Sequence, residues 1–184
     1  MIFGVVLAGG ASERFGGVPK GLQLFRGKPM VLGVAGVLAR VCGRVVVEAP
    51  RDAGYEALGL PVTFASPAHA GKGPLAGIVA GLAAAPEGSR AAFAPCDMPL
   101  LDEDVYRSLM RDGGSVYALS PNGAEPLVAV LERALLEPLL LALEATKIPR
   151  TDAALSAAGA RGVAFADAAR FANVNTPDDL ARLE

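Results

Sequence analysis

The chain has 184 residues, a length typical of one domain, and 52% of them are hydrophobic while 20% are charged. This composition excludes wholesale disorder, and a formal net charge of -2 argues against a protein that coats nucleic acid. No apolar segment approaches the roughly 20 residues of a membrane span, and the two cysteines and single histidine form no zinc-ligand pattern. We therefore expect one globular domain over residues 1–184, located in the cytoplasm, without nucleic-acid or membrane partners.

Apolar runs of strand length alternate with segments of helical periodicity. The predicted strands are Ile2–Leu7, Arg44–Glu48, Val62–Ala65, Arg90–Ala94, Ser115–Leu119, Pro126–Val130 and Val163–Phe165. Helices are predicted over Met30–Val41, after Gly73, and from Thr176, which can cap the helix that Pro177 begins. The alternation predicts an α/β fold of three layers, with a mostly parallel, Rossmann-like sheet between helices on both faces. Ligands of such folds bind at the carboxyl ends of the strands.

A glycine-rich loop that carries two cations follows the first strand. Residues 8–21 read AGGASERFGGVPKG and include Arg14 and Lys20. Glycines allow successive backbone N–H groups to turn toward one concavity, which then binds anionic oxygen. Arg14 can form a forked contact with phosphate, and Lys20 can supply a point charge. The spacing fits neither a Walker loop nor a dinucleotide fingerprint. The loop therefore predicts a polyphosphate site, and the alternative is a long structural turn.

A single aspartate follows the fourth predicted strand. Asp97 lies within the sequence Pro95-Cys96-Asp97-Met98-Pro99, at the edge of the sheet where ligands bind. Mg²⁺ typically takes one or two carboxylates together with waters and phosphate oxygens. Aspartate also serves in turns and caps, so the residues alone favour neither interpretation. Cys96 is expected to be a small packed residue, because no neighbouring cation that would activate its thiol is visible.

Two further segments carry polar groups or free backbone amides. In an extended Asn173-Val174-Asn175 segment, both amides share one face, where they could bind a substrate or metal-bound water. The alternative is that both are turn residues before the last helix. Near the middle of the chain, Gly73 allows close approach of a ring, and the helix that follows offers free N–H groups.

Four segments resemble the sequence boxes of one family. LAGGASERFGGVPKG is similar to the LAGG-x-S-x-R-[MF]-G-x-x-K signature of small nucleotidyltransferases, and KGPLAG resembles their GPLAG box. APCDMPLL is similar to a PCDMPxL metal motif, and NVNTP matches the box of the molybdopterin branch. From Val6 to Leu183 the chain thus resembles the molybdenum cofactor guanylyltransferase (MobA) family. The resemblance implies the nucleoside-diphospho-sugar transferase type of fold.

The resemblance also implies which residues form the site. Catalysis would depend on Lys20, Arg14 and Asp97, with Asp97 as the ligand of a Mg²⁺ cofactor, and the acceptor would contact Asn173 and Asn175. Nucleotide binding would involve Leu7, Ala8, Gly9, Gly10, Lys20, Ser66, Gly73, Pro74 and Asp97.

The chain departs from this family at four positions, the first being Pro19, where the residue before the lysine is usually acidic. Glu48 stands where guanylyltransferases often have asparagine, Ser66 where they often have aspartate, and Glu125 where relatives commonly have histidine. A carboxylate is the natural partner of the N1–H and N2–H₂ donors of guanine. With serine at position 66, selection of the base must use backbone carbonyls or another acid.

The implied reaction is attack by a terminal phosphate of molybdopterin, or of its metal-bearing form, on the α-phosphorus of GTP with release of pyrophosphate. The partners would be GTP and the molybdenum cofactor, followed by cofactor-delivery proteins and molybdoenzymes. A cytidylyltransferase for the same pterin, or another nucleotidyltransferase with a small phosphate acceptor, remains open. So does a non-catalytic nucleotide- or pterin-binding partner, although a binding module need not retain Asp97 beside Arg14 and Lys20.

Overall fold

The computed structural model describes residues 1–9 and 17–184. Gly10 and Arg14, which were assigned above to the site, lie outside the described residues. The elements in chain order are β1 (Ile2–Leu7), β2 (Leu24–Phe25), β3 (Lys28–Pro29), α1 (Met30–Ala39), β4 (Arg44–Glu48), β5 (Val62–Thr63), α2 (Pro74–Ala84), β6 (Arg90–Pro95), α3 (Glu103–Asp112), β7 (Val116–Ser120), β8 (Gly123–Glu132), α4 (Leu136–Ala145), α5 (Thr151–Ala157), β9 (Arg161–Ala164) and α6 (Pro177–Leu183).

A central sheet contains seven of the strands, in the order β5-β4-β1-β6-β8-β7-β9. β1 pairs in parallel with β4 on one side and with β6 on the other. β8 runs antiparallel to both of its neighbours, β6 and β7, so the other six strands share one direction. β2 and β3 form a separate short hairpin. The prediction of a mostly parallel α/β sheet is confirmed.

Helices cover both faces of this sheet, as the alternation along β1 shows. Val6 packs in a cluster with apolar residues of α1 and α3. Its neighbours Val5 and Leu7 pack on the opposite face, with residues of α2, α4 and α5. Because successive side chains of a strand point to opposite faces, burial on both sides requires a continuous apolar run. The three-layer arrangement predicted from such runs is confirmed.

Most of the predicted elements appear, with shifted ends. β1 and β4 have the predicted bounds, whereas β8 extends beyond the predicted Pro126–Val130 on both sides, to the exposed Gly123 and, past the buried Leu131, to the exposed Glu132. β9 pairs only with β7 at the edge of the sheet and begins earlier, at Arg161. α1 ends before Val41, whose N–H donates to the carbonyl of Leu38 in a tightened last turn. No helix in the described ranges combines the length and the apolar character of a membrane span.

The packing of α2 on the sheet gives a stability prediction. A Cβ on Gly81 would lie 2.6 Å from Cε1 of Phe93 and 2.9 Å from Cγ1 of Val5, both fully buried. We expect Gly81→Ala to lower the free energy of unfolding by about 1–3 kcal/mol, because the extra methyl group overpacks the core. In urea denaturation, the matched change Gly33→Ala in α1 should raise the free energy of unfolding by about 0.5–1 kcal/mol, since nothing lies within 4 Å of the added Cβ. Equal effects of the two alanines would contradict this packing.

Candidate active site

The carboxyl ends of three neighbouring strands form the floor of the site. The N–H of Ala8 donates to the carbonyl of Glu48 at 2.7 Å, and the N–H of Cys96 donates to the carbonyl of Leu7 at 3.0 Å. These bonds continue the parallel pairing of β1 with β4 and β6 past the ends of the strands. The residues that follow, including Gly9 and Asp97, therefore emerge side by side at one edge of the sheet.

Lys20 brings two distant segments of the chain together at this edge. Its Nζ lies 2.5 Å from Oδ2 of Asp97 and donates to Oδ1 of Asn175 at 2.8 Å. The side chains of Lys20 and Asp97 are 20% and 21% exposed, so water screens the pair only in part. The structure thus places the lysine of the glycine-rich loop against the aspartate that follows β6. Their roles in catalysis stay predictions.

The segment with two asparagines is fixed to the same edge through its backbone. The N–H of Val174 donates to the carbonyl of Asp97 at 2.8 Å, and the Val174 side chain is fully buried. Asn173 and Asn175 are exposed on either side of it, as the predicted alternation requires. A capping box then starts α6: Thr176 Oγ1 accepts from the N–H of Asp179, whose carboxylate accepts from the N–H of Thr176.

A cavity of about 690 Å³ opens beside the Lys20–Asp97 pair. This volume lies within the range of small-molecule sites. Every described residue that was assigned above to nucleotide binding lines it: Leu7, Ala8, Gly9, Lys20, Ser66, Gly73, Pro74 and Asp97. At its rim, the guanidinium of Arg51 lies 4.3 Å from the ring centroid of Phe64. Because purine-sized ligands need a largely apolar cleft with a few polar groups, this cavity is the candidate nucleotide site.

The start of α2 borders this cavity, because Gly73 and Pro74 line it. Gly73 has a φ of +76°, a conformation that favours glycine, and it directly precedes Pro74 at the first helical position. The first N–H groups of a helix have no intrahelical partner, and the helix dipole makes this end positive. The turn at Gly73 therefore places the positive end of the α2 dipole at the cleft.

A buried carboxylate also reaches the large cavity. Glu48, the last residue of β4, is 5% exposed and lines the cleft. Burial raises the pKa of Glu48, and a hydrogen bond from the N–H of Ala65 opposes that rise. The sequence analysis identified Glu48 only as a residue that differs from the family. Its position at the end of an apolar strand did not predict that its carboxylate would face the cleft.

Asp97 also lines a second, smaller cavity of about 220 Å³. Asn173 and Glu125 line this cavity too, whereas Asn175 contacts Lys20 instead. Burial raises the pKa of Glu125, the hydroxyl of Ser120 opposes this by donating to Oε1 at 2.9 Å, and the charge of Asp97 raises the pKa further. Asp97 therefore stands between two cavities, an arrangement that suits a reaction between two substrates.

The donor set at this edge fits a hard cation that the substrates help to bind. Within residues 1–9 and 17–184, no three side chains of His, Cys, Asp or Glu are arranged to hold a metal ion. A single carboxylate such as Asp97 suffices for a divalent cation of the Mg²⁺ type, which completes its shell with waters and phosphate oxygens. A zinc site, by contrast, needs three or four protein ligands. The residues thus fit a divalent metal that binds together with a polyphosphate.

Cys96, beside this carboxylate, is a packed residue. It is 5% exposed, and burial, followed by the charge of Asp97, raises the pKa of its thiol to about 12. A Cβ on Gly21 would lie 3.1 Å from the Cys96 sulfur. A thiol that stays protonated is a poor nucleophile, so the chemistry of the site rests on charge and positioning.

The mostly parallel sheet, with the Lys20–Asp97 pair and two cavities at one strand edge, defines an α/β protein whose candidate ligand site lies at the carboxyl ends of the strands. A family model described as the MobA-like NTP transferase domain matches residues 4–165, and the chain belongs to this family.

Curated relatives match over nearly their whole length. A molybdenum cofactor guanylyltransferase from Cupriavidus metallidurans is 36% identical, over 97% of this chain and 92% of the relative. One of the same name from Ralstonia nicotianae is 36% identical, over 99% and 95%.

Solved structures share the fold. Molybdopterin-guanine dinucleotide biosynthesis protein A from Archaeoglobus fulgidus superposes with a TM-score of 0.79 at 24% identity, over 100% of this chain and 97% of that one. A CMP:2-keto-3-deoxy-manno-octonic acid synthetase, complexed with CTP, superposes with a TM-score of 0.74 at 16% identity, over 99% and 96%. At such identities the likeness concerns the fold, and it confirms the nucleotidyltransferase architecture expected from the sequence.

Proposed function

We propose that this chain transfers GMP from GTP to the terminal phosphate of molybdopterin or the molybdenum cofactor and releases pyrophosphate. An oxygen of the acceptor phosphate forms a bond to the α-phosphorus, and the bond from that phosphorus to the β-phosphate oxygen breaks. The observation that carries the proposal is the contact of Lys20, which lines the large cavity, with Asp97, which lines both the large and the small cavity. The names of relatives at 36% identity support the choice of substrates.

The larger cavity would hold GTP, with its triphosphate at Lys20 and at the Arg14 side of the loop. Asp97 would hold Mg²⁺, which neutralises phosphate charge when it is bound. Binding would exchange the Lys20–Asp97 ion pair for a lysine–phosphate contact and a carboxylate–cation contact. Charge is thus compensated before and after the substrate enters, and Lys20 stays close to the phosphorus that is attacked.

The smaller cavity would hold the acceptor phosphate, with Asn173 in its wall and Asn175 beside Lys20. Amide groups can donate to phosphate oxygens and so orient the attacking oxygen. A phosphate is already ionised near neutral pH, so the step needs no general base. Catalysis would then come from alignment of the two phosphates and from charge neutralisation.

The proposal includes where and how the protein works. One domain over residues 1–184 would carry the whole reaction, in the cytoplasm, without nucleic acid or membrane. Cofactor-delivery proteins would supply the acceptor, and molybdoenzymes would receive the product.

A panel of triphosphates tests this function. With molybdopterin as acceptor and Mg²⁺ present, GTP should support pyrophosphate release at least about 100-fold faster than ATP, CTP or UTP, since sites that hydrogen-bond a base strongly reject analogues that lack the matching groups. Chelation of the metal should stop the reaction. The fastest release with CTP would instead indicate a cytidylyltransferase. Binding of GTP without release under any condition would indicate a non-catalytic partner.

A further inference from the structure

Glu48 is a buried carboxylate whose oxygens can accept more hydrogen bonds than the described residues donate to them. It is 5% exposed at the end of β4, between the paired positions of β1 and β5. Ionised side chains that are this deeply buried are normally paired with a cation. In the described part of the chain, no cation influences the pKa of Glu48, and the N–H of Ala65 is the one group that lowers it. Among the described residues, two oxygens with about four acceptor sites are thus matched by one backbone donor.

Two glycines clear the space around this carboxylate. Oε2 of Glu48 lies 2.7 Å from the position that a Cβ on Gly77 would take, and 3.4 Å from that of a Cβ on Gly9. Gly77 belongs to the first turns of α2, and Gly9 follows β1, so the two glycines approach from different elements. Any side chain at position 77 would displace the carboxylate. Because Gly9 has no side chain, this residue leaves Oε2 uncovered on its side of the cavity that both residues line.

Among the common bases, guanine has the edge that complements this group. Its N1–H and N2–H₂ are adjacent donors, and a carboxylate can accept both in parallel, in strong charge-assisted bonds. Adenine and cytosine present a ring acceptor at the corresponding position, which a carboxylate repels. Uracil presents a single N–H between two carbonyls. A buried carboxylate thus attracts guanine and discriminates against the others.

We propose that Glu48 binds the N1–H and N2–H₂ edge of guanine and thereby sets the base selectivity of the larger cavity. This inference rests on the proposed function, because it assigns the base of the GTP placed there. It also resolves the departure at Ser66: the acid that guanine requires comes from the end of β4 and not from the segment after β5. The alternative is a purely structural role, in which Glu48 only accepts a hydrogen bond from the backbone N–H of Ala65.

Binding measurements with GTP, ITP and XTP test this role by calorimetry on the full chain. ITP lacks the 2-amino group, so the unchanged protein should bind GTP about 10- to 100-fold more tightly than ITP. Glu48→Gln should weaken GTP about 10- to 100-fold and bring the GTP-to-ITP ratio close to one. The same variant should gain affinity for XTP, because the glutamine N–H can donate to the 2-carbonyl of xanthine while its carbonyl accepts from N1–H. Binding of XTP also shows that the variant is folded.

A matched control is Glu56→Gln, an exposed carboxylate in the short 3-10 helix Tyr55–Leu58, which should leave all three affinities unchanged. An unaltered GTP-to-ITP ratio in folded Glu48→Gln would overturn the inference and leave the structural role. Equal binding of GTP and ITP by the unchanged protein would overturn it without any variant, while the proposed transfer from GTP would stand. Failure of the unchanged protein to bind GTP would refute the proposed function and this inference together.

Discussion

Asp97→Asn is expected to lower kcat for pyrophosphate release by about 1000-fold while the chain stays folded. The amide keeps the size and an acceptor oxygen, but it lacks the negative charge that holds a divalent cation against the phosphates. Titration of Mg²⁺ separates the causes: the variant should need far more metal and should not regain the original rate at saturation. GTP affinity measured without metal should not fall, because the cavity walls remain and the amide does not repel the phosphates.

The stability of this variant is part of the same prediction. Asp97 is about a fifth exposed and pairs with Lys20, which also donates to Asn175, so the lysine keeps an acceptor. Asp102→Asn is a matched control, because Asp102 caps α3 by accepting from the N–H groups of Asp104 and Val105. Asparagine caps helices as well as aspartate does, and the part-exposed ion pair of Asp102 with Arg170 contributes little to stability, so stability and kcat should both change little. A normal rate for Asp97→Asn would disprove the metal assignment.

The strands that were predicted best are those buried on both faces. β1 and β4 each pair with a strand on both sides, and their apolar residues form continuous runs, which in β4 are flanked by Arg44 and Glu48. β9 lies at the edge and is largely exposed, and its first residue is Arg161. Composition therefore says little about where an edge strand begins, and its bounds were predicted less well.

The antiparallel direction of β8 follows from the short turn before it, which the pattern of apolar residues does not predict. Only Pro121 and Asn122 separate β7 from β8, and such a short connection forces an antiparallel hairpin. The N–H of Asn122 donates to Oγ of Ser120 at 3.1 Å, which stabilises the turn. Turn residues before Gly123 were visible in the sequence, and they carried the signal for the one reversed strand.

At the site, the sequence located the groups but not their contacts. The residue types of Lys20 and Asp97, and the topology of a parallel sheet, predicted that both would reach one edge. The contact between Lys20 and Asn175 joins positions far apart in the chain and depends on how Val174 docks on the backbone of Asp97. The sequence showed Glu48 only as a residue that differs from the family. Its burial could not be predicted, because it results from packing between β4 and α2. Such long-range packing has no local signal.

Lys20→Ala is expected to lower kcat by about 100- to 1000-fold, because the ammonium compensates the charge that develops on the transferred phosphate. Lys20→Arg should recover part of the rate, since a guanidinium keeps the charge but not the compact geometry of the ammonium. Lys28→Ala removes an exposed lysine on β3 and should leave the rate unchanged. Pyrophosphate release with saturating GTP and Mg²⁺ measures all three.

The pairing of Lys20 with Asp97 allows a second test of this prediction, with a double variant. If the two groups stabilise the same transition state from opposite sides, the double variant Lys20→Ala/Asp97→Asn should lose far less than the product of the two single losses. Removing either group already misaligns the same phosphates, so the second change has less stabilisation left to remove. Full additivity would mean that Lys20 and Asp97 act in separate steps, and a normal rate for Lys20→Ala would remove the lysine from the mechanism altogether.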